Sequence, residues 1–187
     1  MSAGGMSGDD LRRAADVLRG GGVVAHASEG VWGLACDPFN RQAVGRVIDI
    51  KGRDADKGLI VIADRADVFA EELASLESNT AAQVRASWPG AVTWVVPNGR
   101  FPEWITGGRD TVAVRVPDHA QARALAQAFG GAIVSTSANR SGSEPARTAE
   151  AVAETLGDRL DFILPGTVGS REGPSRIVDA ADGEALR

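Results

Sequence analysis

The sequence predicts an α/β fold, a single domain in which helices flank a mixed sheet. Three observations carry this. Helix-spaced apolar segments alternate along the chain with short apolar runs of strand length, and the alternation is not a strict βαβ repeat, so parallel and antiparallel neighbours are both expected. The 187 residues, 43% of them hydrophobic, are enough for one core and suggest one domain. No internal repeat or long linker divides them. Residues 9–187 are assigned to this domain, and the Gly/Ser-rich, acidic residues 1–8 to a disordered N-terminal segment.

The elements follow in order. Asp9 or Asp10 caps a first helix that turns Leu11, Ala14, Ala15 and Leu18 to one face and ends at Gly20-Gly21-Gly22. "VVAH" (23–26) is a short strand. "RQAVGRVIDIKG" (41–52) is a helix with Val44, Val47 and Ile48 inward, stopped by Gly52. "LIVIA" (59–63) is a buried strand. Helices are expected around 66–76 and 79–88, the second capped by Asn79 and stopped by Pro89-Gly90. "AVTWVV" (91–96) and "TVAVRV" (111–116) are strands separated by a Gly/Pro-rich loop. "HAQARALAQAF" (119–129) is a helix, "AIVST" (132–136) a strand, and a last helix spans about 149–156. "FIL" (162–164) and "SRIV" (175–178) are short final strands.

Composition removes several function classes. A single cysteine, Cys36, excludes an internal disulfide framework. With only His26 and His119 beside it, a structural zinc site is not expected, and no metal ligands are expected from side chains. The net charge of −5 argues against a nucleic-acid-coated surface, while allowing one local basic groove. No apolar run has the length of a membrane span, and the N-terminus lacks the basic and apolar regions of a signal peptide. A cytoplasmic protein is expected. The usual nucleotide loops, G-x-x-x-x-G-K-[ST] and G-x-G-x-x-G, are missing, as is a G-x-S-x-G elbow. Any phosphate chemistry must use separated cations and hydroxyls.

Three stretches could carry that chemistry. "KGRDADKGL" (51–59) holds both lysines of a chain that otherwise has eighteen arginines. Lysine is a compact point charge and arginine a flat fork, and a triphosphate is served by both. The alternative is a basic helix end complementing the helix dipole. "AIVSTSANRSG" (132–142) runs an apolar strand into Ser135, Thr136, Ser137 and Asn139. Ligands of open α/β sheets sit at the carboxyl ends of strands, but a turn held by local hydrogen bonds fits equally. "HASEGVWGLACDP" (26–38) places Ser28 and Glu29 after a strand, with Gly30 and Gly33 permitting close backbone approach. By itself it also reads as a polar loop with a structural carboxylate.

Lys51-Gly52-Arg53 followed far downstream by Ser137-Ala138-Asn139 is a K-x-R … S-x-N pattern. "DKGLIVI", "WPGAVTWVV", "VAVRVPDH", "IVSTSANRSG" and "GPSRIVD" accompany it in that order. From about Leu11 to its end the chain thereby resembles the YrdC-like threonylcarbamoyl-AMP synthases in their short bacterial form. The chain ends soon after "SRIVD", so the extra C-terminal domain of the long form is not expected. The resemblance implies a twisted sheet around a basic central cavity. It also implies a nucleotidyltransfer in which L-threonine, bicarbonate or CO2, and ATP give threonylcarbamoyl-AMP and pyrophosphate. The product serves N6-threonylcarbamoylation of adenosine 37 in tRNAs that read codons beginning with A.

The resemblance further implies roles. Lys51, Arg53, Ser137 and Asn139 hold the ATP phosphates or position the reacting groups, with Thr111 and Ser175 also at the nucleotide. Ser28, Lys57, Arg115 and Ser135 hold threonine, Arg115 pairing with its carboxylate. Mg2+ is expected as a cofactor, held through the ATP phosphates. Threonylcarbamoyl-transferase proteins are the expected users of the product, and contact with tRNA or double-stranded RNA is a further possible partnership. One departure stands out: His26-Ala27-Ser28-Glu29 replaces the family's aromatic-Pro-Thr-acidic sequence, which bears on threonine affinity. Two other functions compete: a carbamoyl-adenylate-forming enzyme like related domains of hydrogenase maturation, and a non-enzymatic RNA-binding or ribosome-assembly module.

Overall fold

The computed structural model describes residues 6–171, 173 and 175–186. Helix α1 spans Gly8–Arg19. Its cap is Ser7 and not the expected Asp9 or Asp10, because Ser7 still has extended backbone while both aspartates are already helical. Asp10 instead completes a capping box: its N–H donates to Ser7 Oγ, and its carboxylate accepts from the Ser7 N–H, each at 3.1 Å. Of the segment 1–8, residues 1–5 lie outside the described residues.

Strand β1 (Val24–Ala27) is joined to β2 (Trp32–Ala35) by a tight turn through Ser28–Val31, giving an antiparallel hairpin. The sequence reading missed β2. Its four residues are all buried, so Trp-Gly-Leu-Ala shows neither alternation nor β-branching. Helix α2 (Arg41–Lys51) starts on Asn40 and stops where Gly52 turns left-handed at φ 55°. Val44, Val47 and Ile50 are buried, whereas Ile48 is only partly so.

Strand β3 is Ile60–Ile62. The helix expected at 66–76 is a 3-10 turn at Ala66–Phe69 followed by α3 (Ala70–Ala74). Helix α4 (Ser78–Ala86) begins one residue early, with Glu77 extended before it, so Asn79 lies inside the helix and is not its cap. Strand β4 (Val92–Pro97) and β5 (Thr111–Arg115) flank a loop that contains a one-turn helix, α5 (Glu103–Thr106). Helix α6 is Ala120–Phe129. The expected strand 132–136 is divided into β6 (Ile133–Val134) and β7 (Thr136–Ser137). Helix α7 (Ala149–Leu156), β8 (Phe162–Ile163) and β9 (Arg176–Asp179) complete the chain.

The mixed α/β class holds, but the strands form two mixed sheets. One has the order β7-β2-β1-β8 and the other β6-β3-β5-β4-β9. The break at Ser135 lets the chain leave the second sheet after β6 and enter the first with β7. Ser135 still donates its N–H to Ile60 O of β3, so it is tied to the second sheet while it opens toward the first. Helices pack against the sheets. Ala14 and Leu18 of α1 pack with Ala122, Leu125 and Ala126 of α6 over Val24, Ala35 and Ile62. Complete burial of a leucine such as Leu18 or Leu125 stabilises by about 1.5–3 kcal/mol relative to exposure. Among the described residues no helix is long and apolar enough to cross a membrane.

Candidate active site

The two sheets share a cavity of about 550 Å³. Trp32, Gly33, Thr136 and Ser137 line it from the first sheet; Ile60, Val95, Ala113 and Ile177 form an apolar floor on the second. Register explains the floor: Ile60 pairs with Ala113, Ala113 with Val95, and Val95 with Asp179, one cross-strand row pointing the same way. The charged residues lining the cavity, among those described, are Arg53, Lys57, Arg109, Arg115 and Asp179.

Eight of the ten residues expected at a site converge here: Ser28, Arg53, Lys57, Thr111, Arg115, Ser135, Ser137 and Ser175. Pro174, in the same block as Ser175, lies outside the described residues. Lys51 and Asn139 do not line the cavity; they stand directly behind Ser137. The K-x-R and S-x-N motifs thus each send one residue forward, Arg53 and Ser137, and one back.

Lys51 is 4% exposed at the end of α2. Its Nζ lies 2.6 Å from Ser137 O, 3.1 Å from Asn139 O, 3.1 Å from Asn139 Oδ1 and 3.3 Å from Ser137 Oγ. Four acceptors that converge on one atom suit a small ammonium with three protons, and no planar guanidinium meets them from one point. The Ser137 hydroxyl donates to Asn139 Oδ1 at 2.6 Å, and the Asn139 amide donates to Ser143 O at 2.6 Å. Ser141 N–H caps the Lys51 carbonyl at 2.7 Å. Burial, and then the charge of Arg53, bring the Lys51 pKa down to about 8. Lys57 differs: it is half-exposed and paired with Asp54 at 3.1 Å. Arg53 reaches across the same loop, donating to Gly58 O at 3.0 Å.

Arg115 leaves the end of β5 and is held from behind. Its Nε donates to Gly90 O at 2.8 Å, and its Nη2 pairs with Glu29 Oε1. Glu29 also accepts from the Asp118 N–H at 2.9 Å and from the Ser28 hydroxyl at 2.5 Å. Burial alone would raise the Glu29 carboxyl, but Arg115 and these hydrogen bonds together hold it below the usual range. Burial lowers the Arg115 pKa against the pull of Glu29. Sequence reasoning treated Glu29 as a loop carboxylate and passed over Arg109, Asp179 and Trp32. Only the acidic position in the motif at 26–29 signalled Glu29; nothing local signalled the others.

Serines, a part-buried guanidinium and further cations line one open cavity, with a lysine-braced turn behind it and no Gly-rich phosphate loop. Known proteins are similar to this chain over nearly its whole length. The chain is 50% identical over 178 residues to a threonylcarbamoyl-AMP synthase of Halorhodospira halophila, covering 95% of this chain and 93% of that one. It is 46% identical to one of Nitrosococcus oceani, over 95% and 96%. A crystal structure of P. abyssi Sua5 complexed with L-threonine superposes with a TM-score of 0.88 at 32% identity, covering 95% of this chain. The chain spans about half the length of that protein, 53%. The model of the Sua5/YciO/YrdC family, described as telomere recombination, matches residues 16–187. With its fold and nearly its whole length in agreement, the chain belongs to the Sua5/YciO/YrdC family.

Proposed function

We propose that this protein is a threonylcarbamoyl-AMP synthase that consumes L-threonine, bicarbonate or CO2, and ATP and releases pyrophosphate. The observation that carries the reading is the convergence of Ser28, Arg53, Lys57, Thr111, Arg115, Ser135, Ser137 and Ser175, drawn from five separate stretches, on one cavity. In this reading the threonine amine, once neutral, adds CO2 through a new N–C bond and gives up one N–H proton to solvent. The resulting carbamate oxygen attacks the α-phosphorus in line, and pyrophosphate leaves. The nucleophile is already anionic, so no side-chain nucleophile is needed, and catalysis rests on positioning and charge neutralisation.

Each group has a part in this. Arg115, buttressed by Glu29 and Gly90 O, offers its remaining edge to the substrate carboxylate. Ser28 and Ser135 flank it, and Lys57 adds a half-exposed charge. Arg53 faces the phosphates; Ser137, whose hydroxyl proton goes to Asn139 Oδ1, lines the site beside them and positions the reacting groups, with the charge of Lys51 behind it and Asn139 fixing the turn. Thr111 and Ser175 border the floor on which the nucleoside lies. Among the described residues Asp179 is the one carboxylate lining the cavity, a donor set that fits a Mg2+ ion held chiefly by phosphate oxygens. Such an ion neutralises charge on the triphosphate. The product is an activated carbamoyl donor, which a cytoplasmic threonylcarbamoyl-transferase would pass to tRNA.

The test is pyrophosphate release with mass-spectrometric detection of threonylcarbamoyl-AMP. Release should require both threonine and bicarbonate at fixed ATP and Mg2+. Equal release without threonine overturns the reading.

A further inference from the structure

His26 lies on β1 with no exposed surface, beneath the cavity and not in its lining. Its Nδ1 is 3.0 Å from Ala27 O, and its Nε2 is 3.2 Å from Ser135 Oγ. A carbonyl can only accept, so Nδ1 carries the ring proton. In the neutral ring Nε2 is then an acceptor, and the Ser135 hydroxyl donates to it. The proton of Ser135 is thereby committed downward, and its oxygen turns lone pairs to the cavity.

We propose that His26 is a positioning residue that fixes Ser135 as a hydrogen-bond acceptor for the amine N–H of the amino-acid substrate. This rests on the synthase reading above and adds a polarity to one of its groups. An acceptor suits the chemistry at that point. The neutral amine has N–H donors, and one N–H survives in the carbamate, so the same contact serves before and after CO2 adds. A serine free to rotate would present its proton to the nitrogen lone pair and oppose the addition.

Two observations support the fixed geometry. Gly33 pairs with His26 across the hairpin. A Cβ built there would stand 2.9 Å from His26 Nε2 and 3.2 Å from Ser135 Oγ, so the absence of a side chain at 33 makes room for the contact. Burial also keeps the ring neutral. It brings the pKa down to about 4, the charge of His119 acting the same way and the Ala27 carbonyl and Glu29 acting against it.

The experiment is a double-mutant cycle on threonine kinetics with His26→Phe, Ser135→Ala and the pair, with Gly33→Ala as an independent perturbation of the contact. His26→Phe should raise the threonine KM about tenfold, the effect of one lost oriented hydrogen bond, and leave the ATP KM within about twofold. Ser135→Ala should do the same, and the pair should be no worse than Ser135→Ala alone. Gly33→Ala should shift the threonine KM in the same direction. Long-range 1H–15N spectra of the wild-type protein should show the Nδ1–H tautomer, a result independent of how any variant folds. Multiplicative effects in the cycle, or an Nε2–H tautomer, overturn this inference alone. Wild-type protein that gives no threonine-dependent pyrophosphate overturns the synthase reading and this inference with it.

Discussion

Lys51→Met keeps most of the lysine stem and removes its charge and its three protons. Four acceptors then lose their donor: Ser137 O, Ser137 Oγ, Asn139 O and Asn139 Oδ1. Hydrogen bonds to a charged donor contribute about 1.5–3 kcal/mol each, and three protons can serve three acceptors at once. The cost of burying the ammonium takes back part of that sum, so a net destabilisation of about 2–5 kcal/mol is expected. Ser137 loses its anchor and with it the alignment of whatever it holds. Loss of a preorganised group of this kind lowers turnover by about 10²–10³. Lys51→Arg should recover only part of either quantity, because the acceptors converge on one point. The half-exposed Lys57 tolerates arginine, with turnover within about twofold. Urea midpoints give the stability, and steady-state pyrophosphate release gives the turnover. In the wild-type enzyme an alkaline limb near pH 8 should reflect loss of the Lys51 proton, and in Lys51→Arg it should move upward. The sign is that of a lysine depressed by burial: below pH 8 it is charged, folded or unfolded, and above it the folded chain releases the proton first. Lys51→Met with an unchanged urea midpoint and full turnover would refute the brace.

Other expectations concern the remaining buried groups. Glu29→Ala strands the Arg115 guanidinium and should cost about 3–5 kcal/mol in urea unfolding, whereas an unchanged midpoint would show the pair to be inert. Ser28→Ala should erode discrimination of threonine from valine, which can reach about 10⁴–10⁵ in a site that bonds the substrate hydroxyl, and Ser28→Thr should preserve it; unaltered preference in Ser28→Ala removes Ser28 from the site. His26 makes folding acid-sensitive. Between its unfolded pKa of 6.5 and its folded value of about 4 the unfolded chain binds a proton that the folded chain refuses, so stability falls with pH through this window. The total is roughly 3 kcal/mol, and His26→Phe should flatten the slope; an equal slope in the variant would assign it to other groups.

Local chemistry was legible in the sequence wherever one stretch suffices to produce it. The apolar spacing of 41–51 and the glycine after it define α2 and its stop, and the ordered motifs define the family and eight of the residues that line the cavity. Capping was less legible, because Ser7 and Asp10 act as a reciprocal pair that composition alone does not rank above Asp9. Tertiary structure decided what depends on residues distant in sequence. Strand β2 was illegible because burial on both faces erases the alternation that marks a strand. The division of 132–136 between two sheets depends on which neighbours Val134 and Thr136 find, Val61 and Leu34, and neither is local. Lysine at 51 was visible as a choice against arginine, but its reason was not: the four acceptors that converge on its ammonium lie more than eighty residues away and meet only when the Ser137–Asn139 turn folds back on the end of α2.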